Sequence, residues 1–592
     1  MPEPLPAERV AIEGLVIDDT PVAVRVCLDW NLNGRCDGTD PQALTDSNGR
    51  YRLEIPPGTT KPLLAEIEAG RSRDAAGATA TAWYRLASPA PGYTTVLTPL
   101  TTMVQLVGLR DLPLAEDLAR AELGLPPRHP LKLDTAPAPG TTTHAVMIAT
   151  ALALQAAGDA VNLQSPTGLA AVAAEFPPAL RELPQLRIVT QGGAPITSKE
   201  VYVDATFTLT RLARPGVADV VNGRIRGRGN STWGLPKNPY KVQFSNDASY
   251  ARLADVLGMA KNRNWALLAD WYDRSLMRNL LVYSLGNSSA FADGLKWTPS
   301  GQHLEVWLND DYVGVYLLTE DIRIDPARLP LHKMSTNPAA ADIDGGYIAE
   351  VDARLDCYKG DDLNLQVVTP AGVPICIDTP DESAITPRQL AYIKDELLRV
   401  EADLYGARRL DGIHAPSFVD WYLVQELLRN ADAAFYSSDF LWKDGSSAAD
   451  PSDRLLHMGP LWDFDLSAGN VATNDNWQTD GCWVSKPYEP NWYVELFRSP
   501  DFLALTMSRW QGKRARIAGF IDGAIGAYSR RLQAAQARNF GRWPIEMEPR
   551  VSHYRFQSHA EEVDFLRQFL LSRVQWLDLA FQSSVSFDAL CR

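Results

Sequence analysis

Hydrophobic and polar positions follow three regimes along the chain. Through residues 11 to 93, apolar and polar residues alternate over short runs, as in Val22-Ala23-Val24-Arg25-Val26 and Tyr51-Arg52-Leu53-Glu54-Ile55. Gly, Asn and Asp separate the runs. A period of two buries one face of a strand, so residues 1–93 are predicted to form a β-sandwich-like unit. From Thr94 to Leu183 the period lengthens. Leu97, Leu100 and Val104, then Leu114 to Leu123 and Ala145 to Val161, keep helical spacing between Pro-rich breaks at 126–130 and 136–140. A helical spacer over 94–183 is expected. Residues 184–592 mix both periods and read as one large unit with a helical C-terminal part. There, Tyr240, Val242 and Phe244 fall on one strand face and Lys241 and Gln243 on the other. The fold class expected is multidomain α+β.

Composition narrows the function classes. A chain of 592 residues with 45% hydrophobic and 22% charged residues is globular, with room for three or four domains. Its net charge of −15 excludes a dedicated nucleic-acid binder and disfavours docking on anionic lipid. The longest apolar helical stretch, Ala145 to Ala157, is too short to span a membrane, and MPEPLPAERV does not read as a signal peptide. Cys27 and Cys36 flank one loop, Cys357 and Cys376 flank another, and Cys482 and Cys591 remain. Three bridges in an extracytoplasmic protein (secreted, periplasmic or at the cell surface) fit this spacing, and so do six separate buried thiols. The acidity is not uniform. Residues 224–278 hold ten basic residues against four acidic ones, a net +6 that asks for an anionic partner.

Three segments carry candidate chemistry. Asp29, Asn31, Asn33, Asp37 and Asp40 stand at positions 1, 3, 5, 9 and 12 of a loop with Gly34 at position 6, the spacing of a Ca²⁺ loop. Asp replaces the usual Glu at position 12, and a polar turn without metal is the alternative. The segment resembles calcium-binding β-sandwich repeats of bacterial surface proteins, continuing as Thr45-Asp46-Ser47-Asn48-Gly49-Arg50-Tyr51. Second, Arg224-Ile225-Arg226-Gly227-Arg228-Gly229-Asn230-Ser231-Thr232-Trp233 precedes Lys237 and the strand bearing Lys241. Small residues and cations in a turn suit polyphosphate. Third, a helix predicted from Ser417 exits at Asn430-Ala431-Asp432, and Gly459-Pro460-Leu461-Trp462-Asp463-Phe464-Asp465 follows about thirty residues later. Protein kinases place a proton-accepting Asp at a helix exit and a Mg²⁺-binding Asp after a strand.

These pieces form an ordered series. RGRGNSTW and PKNPYKVQF are followed by Asn264 to Ala269, Tyr272 to Asn279, Val313 to Glu320, Gly345 to Asp352, Asn430-Ala431-Asp432 and Gly459 to Asp465, with Ala468-Gly469-Asn470 behind. The series resembles the CotH kinases, a family of atypical protein kinases. The resemblance implies a kinase-like domain, with ATP and Mg²⁺ (or Mn²⁺) as cofactors and a protein Ser or Thr hydroxyl as acceptor. It implies Asp432 as catalytic base, Asp463 as Mg²⁺ ligand and Asp465 as its helper. Arg226 and Arg228 would contact phosphate, with Lys237 or Lys241. Glu320 would be either a lysine partner or part of an adenine-facing hinge. Ser437 and Ser438 stand where kinases carry a metal-binding Asn, so Asn470 or Asp465 would compensate, or one metal alone is held firmly. A weakly active or inactive kinase-like surface or coat scaffold is the rival reading. Carbohydrate hydrolysis, suggested by 16 Trp and many carboxylates, ranks below both.

Overall fold

Alternation becomes strand where one face can be buried, and Arg50–Ile55 does so by hiding Tyr51, Leu53 and Ile55 and exposing Arg50, Arg52 and Glu54. The computed structural model describes residues 5–591 apart from 75, 211–217, 338, 356, 358–363, 382, 487–489 and 548–550. Near the N-terminus lie β1 (Val10–Asp18), β2 (Thr20–Ala23), β3 (Arg25–Leu28), β4 (Gln42–Leu44), β5 (Arg50–Ile55), β6 (Leu63–Ile67), β7 (Arg73–Asp74), β8 (Tyr84–Ser88) and β9 (Val96–Leu97). They form two sheets, β5-β1-β2-β7 and β4-β3-β6-β8, and β9 pairs parallel to β1. Helices α1 (Pro99–Val107), α2 (Leu112–Leu123), α3 (Thr142–Ala157), α4 (Pro166–Ala174) and α5 (Pro178–Arg181) follow. Side chains of Thr98, Asp111 and Thr141 cap the first three by accepting backbone N–H bonds. Leu100, Met103 and Val104 of α1 share one hydrophobic core with Val26, Leu64 and Leu86 of the sheets.

The next unit is a closed barrel. Strands β10 (Gln185–Thr190), β11 (Val203–Thr210), β12 (Ala218–Gly227), β13 (Tyr240–Phe244), β14 (Asn264–Leu268), β15 (Gly301–Leu308) and β16 (Asp311–Glu320) are ordered β10-β11-β12-β13-β14-β16-β15. Parallel pairing of β10 with β15 closes the ring. Phe207, Ile225, Val242, Trp265, Val306 and Tyr316 fill it. Two helices, α6 (Ala248–Ala251) and α7 (Arg278–Asn287), interrupt the strand series.

Beyond the barrel, β17 (Tyr347–Val351), β18 (Gln366–Val368), β19 (Pro374–Thr379), β20 (Asp439–Lys443) and β21 (His457–Met458) form a sheet ordered β18-β19-β17-β20-β21. Helices α8 (Pro387–Gly406), α9 (Ala415–Leu428), α10 (Trp492–Leu496), α11 (Pro500–Arg542), α12 (His559–Ala580) and α13 (Ser584–Cys591) bury it in a large common core. Helix α9 begins two residues before the predicted Ser417, because His414 rather than Ser417 caps it. The chain is therefore a multi-unit α+β protein. Cysteines pair as Cys27–Cys36, Cys357–Cys376 and Cys482–Cys591. Among the described residues, no helix is long and apolar enough to cross a membrane.

Candidate active site

Helix α9 is buried on nearly every side, so it serves as a rigid core rod. It stops at Arg429, whose φ of 44° is left-handed and turns the chain out of the core. Asn430 then joins two loops. Its Nδ2 donates to Gln425 Oε1 at 3.1 Å and to the Asp463 carbonyl at 3.2 Å, while its Oδ1 accepts from the Asp432 N–H at 3.4 Å. One amide thus sets the spacing between Asp432 and the loop of Asp463.

That second loop leaves β21 and is cradled by residues 270–279. Asn279 Oδ1 accepts from the Phe464 N–H at 2.8 Å, and Asn279 Nδ2 donates to Asp270 at 3.2 Å. Arg278, fully buried, pairs with Asp273 at 2.5 Å and donates to the carbonyls of Ser467 and Ala468 at 3.0 and 3.3 Å. Asn470 Nδ2 closes the loop on the carbonyls of Tyr272 and Asp465 at 2.8 and 2.7 Å. Asp463 has a φ of 63°, a conformation that costs an L-residue about 1–2 kcal/mol and persists where surroundings over-determine it.

Both loops face one polar cavity of about 510 Å³ between the barrel and the β17–β20 sheet. Arg228, in the loop after β12, and Lys241 on β13 enter from the barrel, Glu350 and Arg354 from β17 and beyond, and Asp432, Asp463 and Asp465 from the loops just described. Carboxylates crowd here. Asp432 is pushed up to about 7 by burial and by the charge of Asp463, against the pull of Arg354. The Asp463 side chain is open to the cavity yet lies deep among protein atoms; that desolvation raises it, while Arg228 and Arg354 hold it down. Asp465 is raised by burial and then by Asp463, Asp270 and Asp432. Oxygen donors that repel one another relax around a hard cation, so Asp463 and Asp465 fit Mg²⁺ or Mn²⁺ chemically. Among the described residues, no three His, Cys, Asp or Glu side chains already converge on a metal position.

A family model described as CotH kinase protein matches residues 225–577, more than half of the chain. The chain belongs to the CotH kinase family. The matched stretch runs from inside β12 into α12 and contains every loop that faces the cavity. No curated protein matches the chain.

In this CotH-family fold, five of the residues singled out from sequence meet at the cavity: Arg228, Lys241, Asp432, Asp463 and Asp465. Others stand elsewhere. Arg226 lies beside Lys241 across β12 and β13, but its guanidinium lies over the Tyr202 ring at 5.1 Å. Lys237 is buried and donates to the Val315 carbonyl and to Asn539 Oδ1, away from the cavity lining. Glu320 accepts from the Ser300 N–H at 2.9 Å and faces Arg328 at 3.7 Å. Asn470 acts as a latch between carbonyls, with its amide nitrogen rather than its oxygen engaged.

The calcium loop gains no support. Asp29 accepts from the N–H groups of Asn33 and Gly34 and from Gln164, and Asp40 from those of Trp30 and Asp37. Asn31 and Asn33 turn their amide nitrogens to Asp37 at 2.8 Å. The loop satisfies its oxygens internally. Sequence reasoning also missed cavity residues, notably Asp270, Glu350 and Arg354. For the last two a signal existed: charged residues at 350, 352 and 354 alternate out of the apolar run Tyr347-Ile348-Ala349.

Proposed function

We propose that this CotH-family protein is an ATP- and Mg²⁺-dependent kinase that phosphorylates Ser or Thr hydroxyls of secreted or surface proteins. One observation carries the reading: Asp432, at a helix exit, and Asp463, on a loop after a strand, face one polar cavity and are tied together by Asn430. Asp432 would take the proton of the acceptor hydroxyl. Its surroundings place its pKa near neutrality, where a base balances availability and strength. Asp463 and Asp465 would hold Mg²⁺, which when bound supplies charge neutralisation on the phosphates. Lys241 and Arg228 would orient the phosphates. Lys241 is pre-set by an ion pair with Asp321 at 3.2 Å. The balance is simple: the acceptor oxygen–phosphorus bond forms, the bond from the γ-phosphorus to the bridging oxygen breaks, and ADP leaves with the bonding pair.

The three disulfides support an oxidising, extracytoplasmic setting. The direct test incubates the purified chain with γ-labelled ATP, Mg²⁺ and casein. Label on Ser or Thr is expected, and it should fall by at least about 10³-fold in Asp432→Asn. A wild-type chain that neither transfers label nor shows an ATP-induced thermal shift would overturn the kinase reading. Label persisting in Asp463→Ala would overturn the metal assignment alone.

A further inference from the structure

We infer that Arg354 is a further catalytic residue, a cation fixed in place to meet the γ-phosphoryl group during transfer; the inference rests on the kinase reading above. Arg354 follows β17 and lines the cavity. Asp352 Oδ1 accepts from the Arg354 N–H at 3.1 Å and from its Nε at 3.0 Å, folding the chain back and holding one edge of the guanidinium. Ser437 Oγ accepts from Nη2 and holds the second edge. The Ala353 N–H donates to the Tyr436 carbonyl at 2.7 Å, so the backbone beside Arg354 is joined to the loop that carries Asp432. The third edge of the guanidinium, Nη1, makes no hydrogen bond among the described residues.

A guanidinium held on two edges and open on the third is pre-organised for an oxyanion. Its position also differs from that of the other cavity cations. Lys241 and Arg323 both lean on Asp321, at 3.2 and 3.4 Å, and Arg228 lies over Trp462 at 5.5 Å. Arg354 alone among these four is fastened to the Asp432 loop. Charge in phosphoryl transfer spreads over the three equatorial oxygens as the acceptor approaches, so a cation beside the base acts where that charge develops. Arg354 stays protonated throughout. The acceptor proton goes to Asp432, and ADP takes the electron pair of the broken bond.

The test compares Arg354→Ala and Arg354→Lys with wild type in three readouts. Transfer kinetics should show kcat falling about 10³-fold in Arg354→Ala with the KM for ATP within threefold. Millimolar guanidinium should restore part of the rate. Thermal shift with Mg²⁺ and ADP should be retained, whereas the added shift with ADP and aluminium fluoride, a transition-state mimic, should be lost. A kcat within threefold of wild type, or an equal loss of both shifts in the Lys and Ala variants, would overturn the inference. Failure of the kinase reading would instead appear in the wild-type arm, as no transfer before any variant is compared.

Discussion

Lys237 and Lys241 sit four residues apart and meet different fates. Burial pushes the Lys237 amine down to about 7, and it is spent on the Val315 carbonyl and Asn539, while Lys241 looks into the cavity. Lys241→Ala is therefore expected to raise the KM for ATP about tenfold, one lost charge-assisted contact, with little change in denaturation midpoint. Lys237→Ala should do the reverse, costing roughly 1–3 kcal/mol in chemical denaturation because Asn539 and a carbonyl lose their donor. A raised KM with unchanged stability in Lys237→Ala would contradict the placement. At this scale the sequence singled out Asp432 and Asp463, which the fold brings to one cavity, because each sits where a regular element ends and a motif of fixed order begins. It did not show what holds them. The Asn279 bond to Phe464 spans 185 residues and the Arg354 bond to Ser437 spans 83, and only the fold brings such pairs together. The calcium spacing found no support in the fold for a related reason: Asx-rich loops satisfy their own N–H groups with the same oxygens that a cation needs.

Strands and helices carry the pH dependence. His457 on β21 stacks between Trp442 at 3.7 Å and His414 at 4.2 Å, and burial followed by the His414 charge lowers it to about 3. His303 on β15 falls to about 4 through burial. In the unfolded chain both titrate near 6.5, so between that value and 3–4 the unfolded state binds more protons. Their contribution is complete above about pH 6.5 and is lost as pH falls, roughly 1.4 kcal/mol per pH unit for each histidine. Glu320 works the other way. Burial raises it to about 7, so its neutral form favours the fold below about pH 4.5 and that contribution fades as pH climbs through 7. Melting temperature measured from pH 4 to 9 should form a dome, and His457→Phe should flatten the acid limb. An unchanged acid limb would remove His457 from the account. Alternation identified strands such as residues 51–55 and 240–244 directly. Barrel closure was beyond it, because β10 and β15 meet through a parallel pairing of distant segments. A helical C-terminal part was legible, but not that α11 runs unbroken for 43 residues, its apolar period being interrupted by Gly512, Gly519, Gly523, Gly526 and Gly541.

Two of those glycines explain how the whole molecule is joined. A Cβ at Gly519 or Gly523 would come within 2.8 Å of Leu114 and 2.6 Å of Leu118, so their absence lets α2 lie directly on α11. Arg516 with Asp111 at 2.5 Å fastens the same contact, and Thr142 N–H and Oγ1, donating to Asp255 at 2.9 and 2.7 Å, tie α3 to the segment between α6 and β14. Gly523→Leu is expected to lower the melting temperature by several degrees and speed proteolysis between residues 94 and 183; wild-type behaviour would show that the helices need not touch. Cys482–Cys591 closes a loop of about 109 residues that includes α10 to α12. Loop-closure entropy for that length is roughly 4–5 kcal/mol, so reductant should lower the melting temperature sharply, and thiol titration of the unfolded, unreduced chain should find none. The net charge of −15 concealed the cavity's cations, which the +6 stretch from 224 to 278 disclosed only in part, because Arg323 and Arg354 lie outside it. The most direct measurement is the structure of the complex with a non-hydrolysable ATP analogue and Mn²⁺, located by anomalous scattering. The expected result is a γ-phosphate facing Asp432, with Mn²⁺ on Asp463. Nucleotide bound elsewhere, or Mn²⁺ away from Asp463, would contradict it.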